Sequence, residues 1–362
     1  MPGEIVKTMH VVSVSGGKDS TATLLLALNR VPRENLRAIF CDTGNEHEAV
    51  YEYLEYLERT LGIKIDRLKS DFSEEIARKR KFIARDIRAG RRYATVGIVD
   101  AEGIPVWARD GDGRLRYKAT KKDGPCSVFV QKTKKVGGGR KVRWTNKAKR
   151  RALGVLHPTG IPFLDLCLWK GRFPSRKAQF CTEELKRNMA VGYQMDLLED
   201  GYSVISWQGI RRDESVNRKN AKKMERIGPR IYTFRPIVEW SALDVFAYAK
   251  KHDILPNPLY LQGCGRVGCM PCINAKKDEI RQIATRWPDH INRISEWEEL
   301  VAKASKRGAA TFFAAPGETH TAVERGNIVK VVEWSKTRRG GKLPAENVES
   351  AVLCSSSYGL CE

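Results

Sequence analysis

Apolar and polar positions near the N-terminus alternate between two periods. Residues 10 to 15, His-Val-Val-Ser-Val-Ser, form a β-branched run that predicts a short strand, and Ser20 to Leu28 (STATLLLAL) predicts an apolar helix after a glycine turn. Leu36 to Cys41 predicts a second buried strand, ending in Asp42-Thr43-Gly44. Glu46 to Leu61 predicts an amphipathic helix, with Tyr51, Leu54, Leu57 and Leu61 at helical spacing, and Lys64 to Leu68 a third strand. Strands alternating with helices in this way imply βαβ units and a parallel sheet, whose ligands bind at the carboxyl ends of the strands. The loops carrying Asp19 and Asp42 both lie at that end.

Between about Arg78 and Gly160 the pattern weakens. Gly-Asp-Gly (111 to 113), Gly-Gly-Gly (137 to 139) and short alternating runs such as SVFVQ predict an insertion with some strand content. The α/β pattern resumes with Tyr202 to Trp207, and Ser241 to Lys251 predicts a helix; from about Ser305 the chain reads as irregular and ends CSSSYGLCE. No internal repeat is evident. The expected organisation is half of a nucleotide-binding domain over 1–77, an insertion over 78–160, the rest of the domain over 161–300 and a C-terminal extension over 301–362.

Composition narrows the class. With 362 residues, 41% hydrophobic and 30% charged, and a mean hydropathy of −0.45, the chain is neither fibrous nor a membrane protein. No stretch approaches the roughly 18 consecutive apolar residues of a bilayer span, and the first residues lack the pattern of a signal peptide, so a cytoplasmic location without a membrane partner is expected. The net charge of +22 is concentrated: Arg78 to Arg151 hold 24 Lys and Arg against 6 Asp and Glu in 74 residues. That asymmetry suits DNA or RNA, the alternative being a solvated basic loop. Its densest part, KTKKVGGGRKVRWTNKAKRR, includes Trp144, for which local packing competes with base stacking.

Ser15-Gly16-Gly17-Lys18-Asp19-Ser20 sits between predicted strand and helix, where glycines allow close backbone approach and helix N–H groups face a ligand. Such a loop binds phosphate. Lys18 can neutralise a polyphosphate, the Ser15 and Ser20 hydroxyls can donate to its oxygens, and Asp19 can hold Mg2+ or orient the loop. The spacing differs from G-x-x-x-x-G-K-S/T, which excludes a Walker P-loop.

SGGKDS before an apolar helix resembles the PP-loop of ATP pyrophosphatases, and the rest of the chain resembles the phosphoadenosine phosphosulfate (PAPS) reductase family. Asp42-Thr43-Gly44 matches the family's D-T-G, and Cys181-Thr182-Glu183-Glu184-Leu185-Lys186 its C-T-x-x-L-K segment. Gly209, Arg211, Glu214, Ser215 and Arg218 match a G-x-R-x-x-E/Q-S-x-x-R segment, and RPIVEWSALDVFAYAKKHDILPNPLY the R-P-x-x-x-W and N-P-L-Y elements. The matches run from Val11 to about Ala275, leaving out the basic insertion. The resemblance implies an α/β fold of the HUP type, a parallel sheet flanked by helices that binds an adenine nucleotide. It places Asp42 and Thr43 near the nucleoside, and Gly209, Arg211 and Arg218 near an anionic group. Guanidinium forks suit phosphate or sulfate, while surface pairing of Arg211, Arg212 and Arg218 with Asp213 or Glu214 is the structural alternative.

Nine cysteines in a chain of this expected location favour metal or redox chemistry over disulfides. Cys264, Cys269 and Cys272 lie on one glycine-rich turn, and Cys181 lies where the family places cluster ligands. Four thiolates suit a 4Fe-4S cluster, with zinc as the alternative for the same donors. The family's iron-sulfur reductases carry a Cys-Cys pair upstream, replaced here by Phe180-Cys181, so Cys264 is the expected fourth ligand. Cys41, Cys126 and Cys167 read as buried small hydrophobes. Cys361, in Gly359-Leu360-Cys361-Glu362, loosely matches the catalytic E-C-G segment of the reductases and is the candidate sulfur-carrying thiol.

A complete PP-loop favours cleavage of ATP to AMP and pyrophosphate with Mg2+, Lys18 and Asp19 acting on the phosphates, to activate a nucleic acid for sulfur transfer of the phosphorothioation or thiolation type. A cysteine desulfurase would supply the sulfur. The alternatives are a reductase of PAPS or adenosine phosphosulfate (APS) that releases sulfite with a thioredoxin-like donor, and a non-catalytic protein binding nucleotide and nucleic acid.

Overall fold

The computed structural model describes residues 7–119, 127–215, 218–313 and 327–337. The chain divides into two units, Met1–Arg80 with Arg151–Glu362, and Lys81–Arg150. The first unit begins with β1 (Thr8–Ser13), α1 (Lys18–Leu28), β2 (Leu36–Asp42), α2 (Glu48–Leu61) and β3 (Ile65–Lys69), and α3 (Ser73–Arg85) leads out of it. The second unit carries β4 (Ala89–Gly97), β5 (Tyr117–Ala119), β6 (Ser127–Phe129) and β7 (Thr133–Val142), and α4 (Asn146–Leu153) leads back. Then follow α5 (Pro162–Lys170), α6 (Phe180–Thr182), α7 (Asn188–Glu199), β8 (Ser203–Trp207), β9 (Met224–Gly228) and β10 (Ile231–Phe234). The helices α8 (Ala242–Lys251), α9 (Pro258–Leu261), α10 (Lys277–Arg286), α11 (Pro288–Ala304) and α12 (Ile328–Ser335) complete the described chain.

Six strands form one sheet in the order β3-β2-β1-β8-β10-β9, parallel except for β9. β1 is therefore flanked by β2, which follows it closely, and by β8, which returns after more than half the chain. Connections leave β1 in opposite directions along the sheet, opening a crevice at its carboxyl end, where ligands of such sheets bind. α1 buries every residue from Ser20 to Ala27, which explains its apolar reading on all sides; it packs on β1 and against α8. α7 covers Val11, Ile39 and Val204 with Ala190, Tyr193, Leu197 and Leu198.

α2 starts two residues later than its pattern suggests, because His47 caps it, Nδ1 accepting from the Ala49 N–H at 3.0 Å, while Glu46 is drawn into the preceding loop. Its buried seam is Val50, Tyr53, Leu54 and Leu57. Tyr51, expected in that seam, is half-buried and its hydroxyl donates to Asp42. No helix among the described residues is long and apolar enough to cross a membrane.

In the second unit β4 and β7 form an antiparallel ribbon from Ala89 opposite Val142 to Gly97 opposite Thr133, shifted in register between Arg92 and Tyr93. The SVFVQ run supplies β6, which pairs with β5. Two alike turns link the chain between β4 and β5. Asp100 accepts from the N–H groups of Glu102 and Ile104, and Asp110 from those of Asp112 and Arg114. Gly103 and Gly113, at φ +82° and +78°, close them. The expectation of no repeat is thereby corrected: Asp100 to Arg109 and Asp110 to Ala119 are two copies of one ten-residue turn and strand. They share the turn residues and an aromatic position, Trp107 and Tyr117, too little for hydrophobic periodicity to register. Trp144 is buried.

Candidate active site

The Ser15–Ser20 loop leaves β1 at the crevice and runs into α1. Ser20 Oγ closes it, donating to the Gly17 carbonyl at 2.9 Å and accepting from the Ser15 N–H at 3.1 Å. Gly16 takes a left-handed φ of +69°, and a Cβ there would stand 3.1 Å from Val50 Cγ1. The N-P-L-Y element grips the loop from outside: Asn257 Nδ2 donates to the Gly16 carbonyl at 3.1 Å, and the Lys18 N–H donates to the Tyr260 hydroxyl at 3.0 Å. Lys18 Nζ lies 3.5 Å from Asp19 Oδ2 and 5.3 Å from the centre of the Tyr260 ring.

A second segment locks the same loop. Arg211 is only 4% exposed; its Nε donates to Asp19 Oδ1, and it also pairs with Asp213. Asp19 thus holds a buried cation across 192 residues of sequence. Gly209 brings that segment in, and a Cβ on it would sit 2.8 Å from both the carbonyl carbon and oxygen of Asp19. Arg218, the other arginine of this motif, pairs with Glu214 at the surface. Arg211 and Arg218 therefore have the carboxylate partners foreseen as the structural alternative, with Asp19 as an additional one for Arg211, whereas Arg212 pairs with Glu239 instead.

The Asp42-Thr43-Gly44 loop is folded around its own polar groups. Asp42 Oδ1 accepts from the Gly44 N–H at 2.9 Å and from the Tyr51 hydroxyl at 2.8 Å. Glu46, buried, accepts from the Thr43 hydroxyl at 2.8 Å and from the N–H groups of Thr43 and Asn45 at 3.2 Å. Gly44 is at φ +70°, with the Ile161 side chain 2.9 Å from where a Cβ would be. The Thr43 hydroxyl is committed to this network.

That network reaches the cysteines. Cys269 Sγ lies 3.4 Å from Glu46 Oε1 and 3.5 Å from both Thr43 Oγ1 and Lys186 Nζ. The Met270 N–H donates to the Asn45 carbonyl, and Asn45 Nδ2 to the Pro271 carbonyl. The D-T-G loop, the C-T-x-x-L-K helix and the cysteine turn therefore meet at one point. Burial pushes the Cys269 thiol up to about 12, with Lys186 acting in the opposite direction. Burial also raises Cys181, and the neighbouring Cys272 charge adds to this, while Lys186 opposes it. Cys272 Sγ accepts from the Asn274 N–H at 3.5 Å.

Cys264 is buried, its thiol raised to about 11 by burial, with Glu279 raising it further and Arg286 lowering it. Three of the four expected ligands, Cys181, Cys269 and Cys272, share an electrostatic neighbourhood around Lys186, and Arg266 is acted on both by Cys269 and Cys272 and by Glu279, which also acts on Cys264. A tetrahedral zinc at about 2.3 Å from each sulfur would draw thiolates to about 3.8 Å from one another, whereas a cube spreads them over separate irons. Among the described residues, the group of three His, Cys, Asp or Glu with donor atoms within 4.8 Å of one another is His47, Glu48 and His290. No three of the described cysteines form such a group.

Those histidines are stacked, ring centres 4.9 Å apart, and carry no motif spacing that points to them. Arg293 donates to His290 Nδ1 at 2.9 Å if that nitrogen is unprotonated, and burial lowers the basicity of both rings. Glu46 and Arg293 were likewise not legible as site residues, whereas Lys186, Asn257 and Tyr260 stand inside quoted motifs. Cys167 is buried as expected, and Cys41 is half-buried. Cys126, Cys354 and Cys361 lie outside the described residues.

The family description "phosphoadenosine phosphosulfate reductase domain" matches residues 9–96 and 140–275, an interruption that falls within the second unit. Over 98% of its length the chain is 42% identical to an uncharacterised 37.8 kDa protein of Escherichia phage 186, covering 97% of that protein. Over 80 residues, 22% of this chain and 32% of the relative, it is 36% identical to the adenosine 5′-phosphosulfate reductase of Burkholderia cepacia. A crystal structure of PAPS reductase from Candida auris, in a phosphate complex, aligns with a TM-score of 0.36 and 13% identity over 72% of this chain and 80% of that one.

Proposed function

The chain belongs to the phosphoadenosine phosphosulfate reductase family, and from that premise we propose that it cleaves ATP to AMP and pyrophosphate, activating a nucleic acid for sulfur transfer. The observation that carries this reading is the complete Ser15–Ser20 loop at the carboxyl end of β1, with Lys18 in place and the loop held by Tyr260, Asn257 and Arg211. An oxygen of the acceptor attacks the α-phosphorus, the bond to the bridging oxygen breaks, and pyrophosphate leaves with the electron pair. Lys18 neutralises the leaving charge, and Asp19 orients the loop or meets Mg2+. The terminal sulfur of a desulfurase persulfide then attacks the activated centre, AMP leaves with the electron pair, and a second thiol cleaves the remaining S–S bond, forming a disulfide with the donor cysteine and leaving the sulfur on the acceptor.

An iron-sulfur cluster would be held by Cys181, Cys269 and Cys272, with Cys264 as the fourth ligand. Such a cluster supplies sulfur or electron chemistry next to the nucleotide loop. Lys186 places a buried cation beside these thiolates and favours their charged form.

The similarity to adenosine phosphosulfate reductases favours a second reading, in which Cys361 attacks the sulfonyl sulfur of APS or PAPS and a thioredoxin-like dithiol reduces the adduct, releasing sulfite. One experiment separates them. Anaerobically purified protein is incubated with Mg-ATP, with and without DNA or tRNA, and separately with APS or PAPS. Nucleic-acid-stimulated AMP and pyrophosphate support the first reading; intact ATP with sulfite release replaces it by the second.

A further inference from the structure

The second unit carries chemistry that the nucleotide loop does not use. In antiparallel strands, residues directly opposite share a face, as do positions two apart along a strand. Tyr93 pairs with Gly137, Thr95 with Lys135, Trp107 with Gln131, Arg109 with Leu115 and Tyr117 with Phe129. From the register shift at Arg92/Tyr93 onward, these pairings place the odd-numbered positions from Tyr93 to Gly137 on one face. That face carries Tyr93, Trp107, Tyr117 and Phe129, which are 49%, 40%, 69% and 51% exposed. The even-numbered positions carry Ile98, Val106, Ala108, Val130 and Val136, which are half-buried, and Val96, Ile104 and Val128, which are exposed. Aliphatic residues are thus divided between half-buried and exposed positions, whereas four rings gather on one face and stand in water, which stability alone would not select.

The aromatic face is also cationic. Arg109 and Lys135 lie on it, exposed, and Lys81–Arg150 as a whole hold 20 Lys and Arg against 6 Asp and Glu. Trp107 and Phe129 stand 5.8 Å apart, ring centre to ring centre. Trp107 and Tyr117 occupy the same position in the two copies of the ten-residue repeat, so the repetition itself spaces two rings along the face. At Gly138 a Cβ would come within 3.0 Å of the Tyr93 ring, so glycine lets that ring approach the ribbon.

We infer that this face is a platform for single-stranded nucleic acid, bases stacking on Tyr93, Trp107, Tyr117 and Phe129 while Arg109, Lys135 and the surrounding cations meet phosphates. The inference rests on nucleic acid being the acceptor and specifies its form. A duplex hides the faces of its bases and would draw on the cations alone; an acidic protein surface would gain little from exposed rings.

The test uses the full-length protein and fluorescence anisotropy with a labelled single-stranded 20-mer, the same sequence as a duplex, and polyglutamate as competitor, at two salt concentrations. Single strands should bind more tightly than duplex. Trp107→Ala and Tyr117→Ala should each weaken single-strand binding about tenfold, with unchanged thermal unfolding, and Trp107→Phe should recover most of the loss. Equal binding of the two forms, indifference to both alanine variants, or equal competition by polyglutamate overturns the platform. If Lys134→Glu with Lys135→Glu still weakens binding while the aromatic variants do not, the nucleic-acid reading survives and the platform alone fails. No binding of either form at low salt removes both. Because the readout is binding, Lys18→Ala should leave it unchanged even where turnover is lost.

Discussion

Alanine at position 209 would place a methyl carbon 2.8 Å from the carbonyl carbon and oxygen of Asp19 and 3.0 Å from the Ser20 nitrogen. All three are backbone atoms at the start of α1, so no flexible side chain can yield. Relief to ordinary contact near 3.4 Å requires the Gly209 segment and the loop to separate by about 0.5 Å, which loosens the Arg211–Asp19 pair and shifts Lys18. Overpacking of this kind costs about 1–3 kcal/mol, or a fall in Tm of about 3 °C for a 2 kcal/mol loss in a unit of this size. Displacement of catalytic groups by part of an ångström costs about tenfold or more in turnover. Gly192, inside α7, is the control: nothing lies within 4 Å of its added Cβ, so Gly192→Ala should stabilise by about 0.5–1 kcal/mol and leave activity alone. Thermal unfolding and pyrophosphate release are compared across the two variants and the parent. A Gly209→Ala protein with the parent's Tm and turnover would refute the close-approach argument.

Further outcomes follow from the same geometry. Lys18→Ala should lower pyrophosphate release about 10²- to 10³-fold with little change in Tm, checked by initial rates with Mg-ATP. Arg211→Met leaves Asp19 without its buried partner and should cost about 3 kcal/mol by denaturant unfolding, more than Arg218→Met at the surface. Burial lowers the basicity of His47 and His290 below the usual 6.5, so the unfolded chain binds protons more readily; stability should fall as pH drops through about 6.5 and be flat above it. His47→Asn with His290→Gln should flatten that Tm-against-pH curve, leaving the share due to His10, which is lowered in the same way. Iron and sulfide content after anaerobic purification should be lost in Cys181→Ser, Cys269→Ser and Cys272→Ser, and retention in Cys264→Ser would show that this thiol is no ligand.

Much of the site was legible because it is written locally. The β-branched run before Ser15, the glycines at 16 and 17 and the apolar run after Ser20 specify strand, turn and helix within a few residues, and Asp42-Thr43-Gly44 ends its strand for the same reason. Helix boundaries were less secure where a side chain had two uses: Glu46 reads as the first turn of α2 but serves as the hub of the preceding loop, and His47 takes over the cap.

By itself, the sequence determined the alternation of strands and helices, the phosphate loop, the resemblance that identifies the family and the concentration of charge in the insertion. Only the tertiary structure decided that Arg211 meets Asp19 and that Thr43, Glu46 and Lys186 converge on Cys269. It also decided which face of the inserted strands shows its rings to water. Periodicity and spacing report what neighbours within a turn or a strand will do, whereas these contacts join residues separated by tens to hundreds of positions. Their formation depends on sheet order and strand register, which belong to the packed whole.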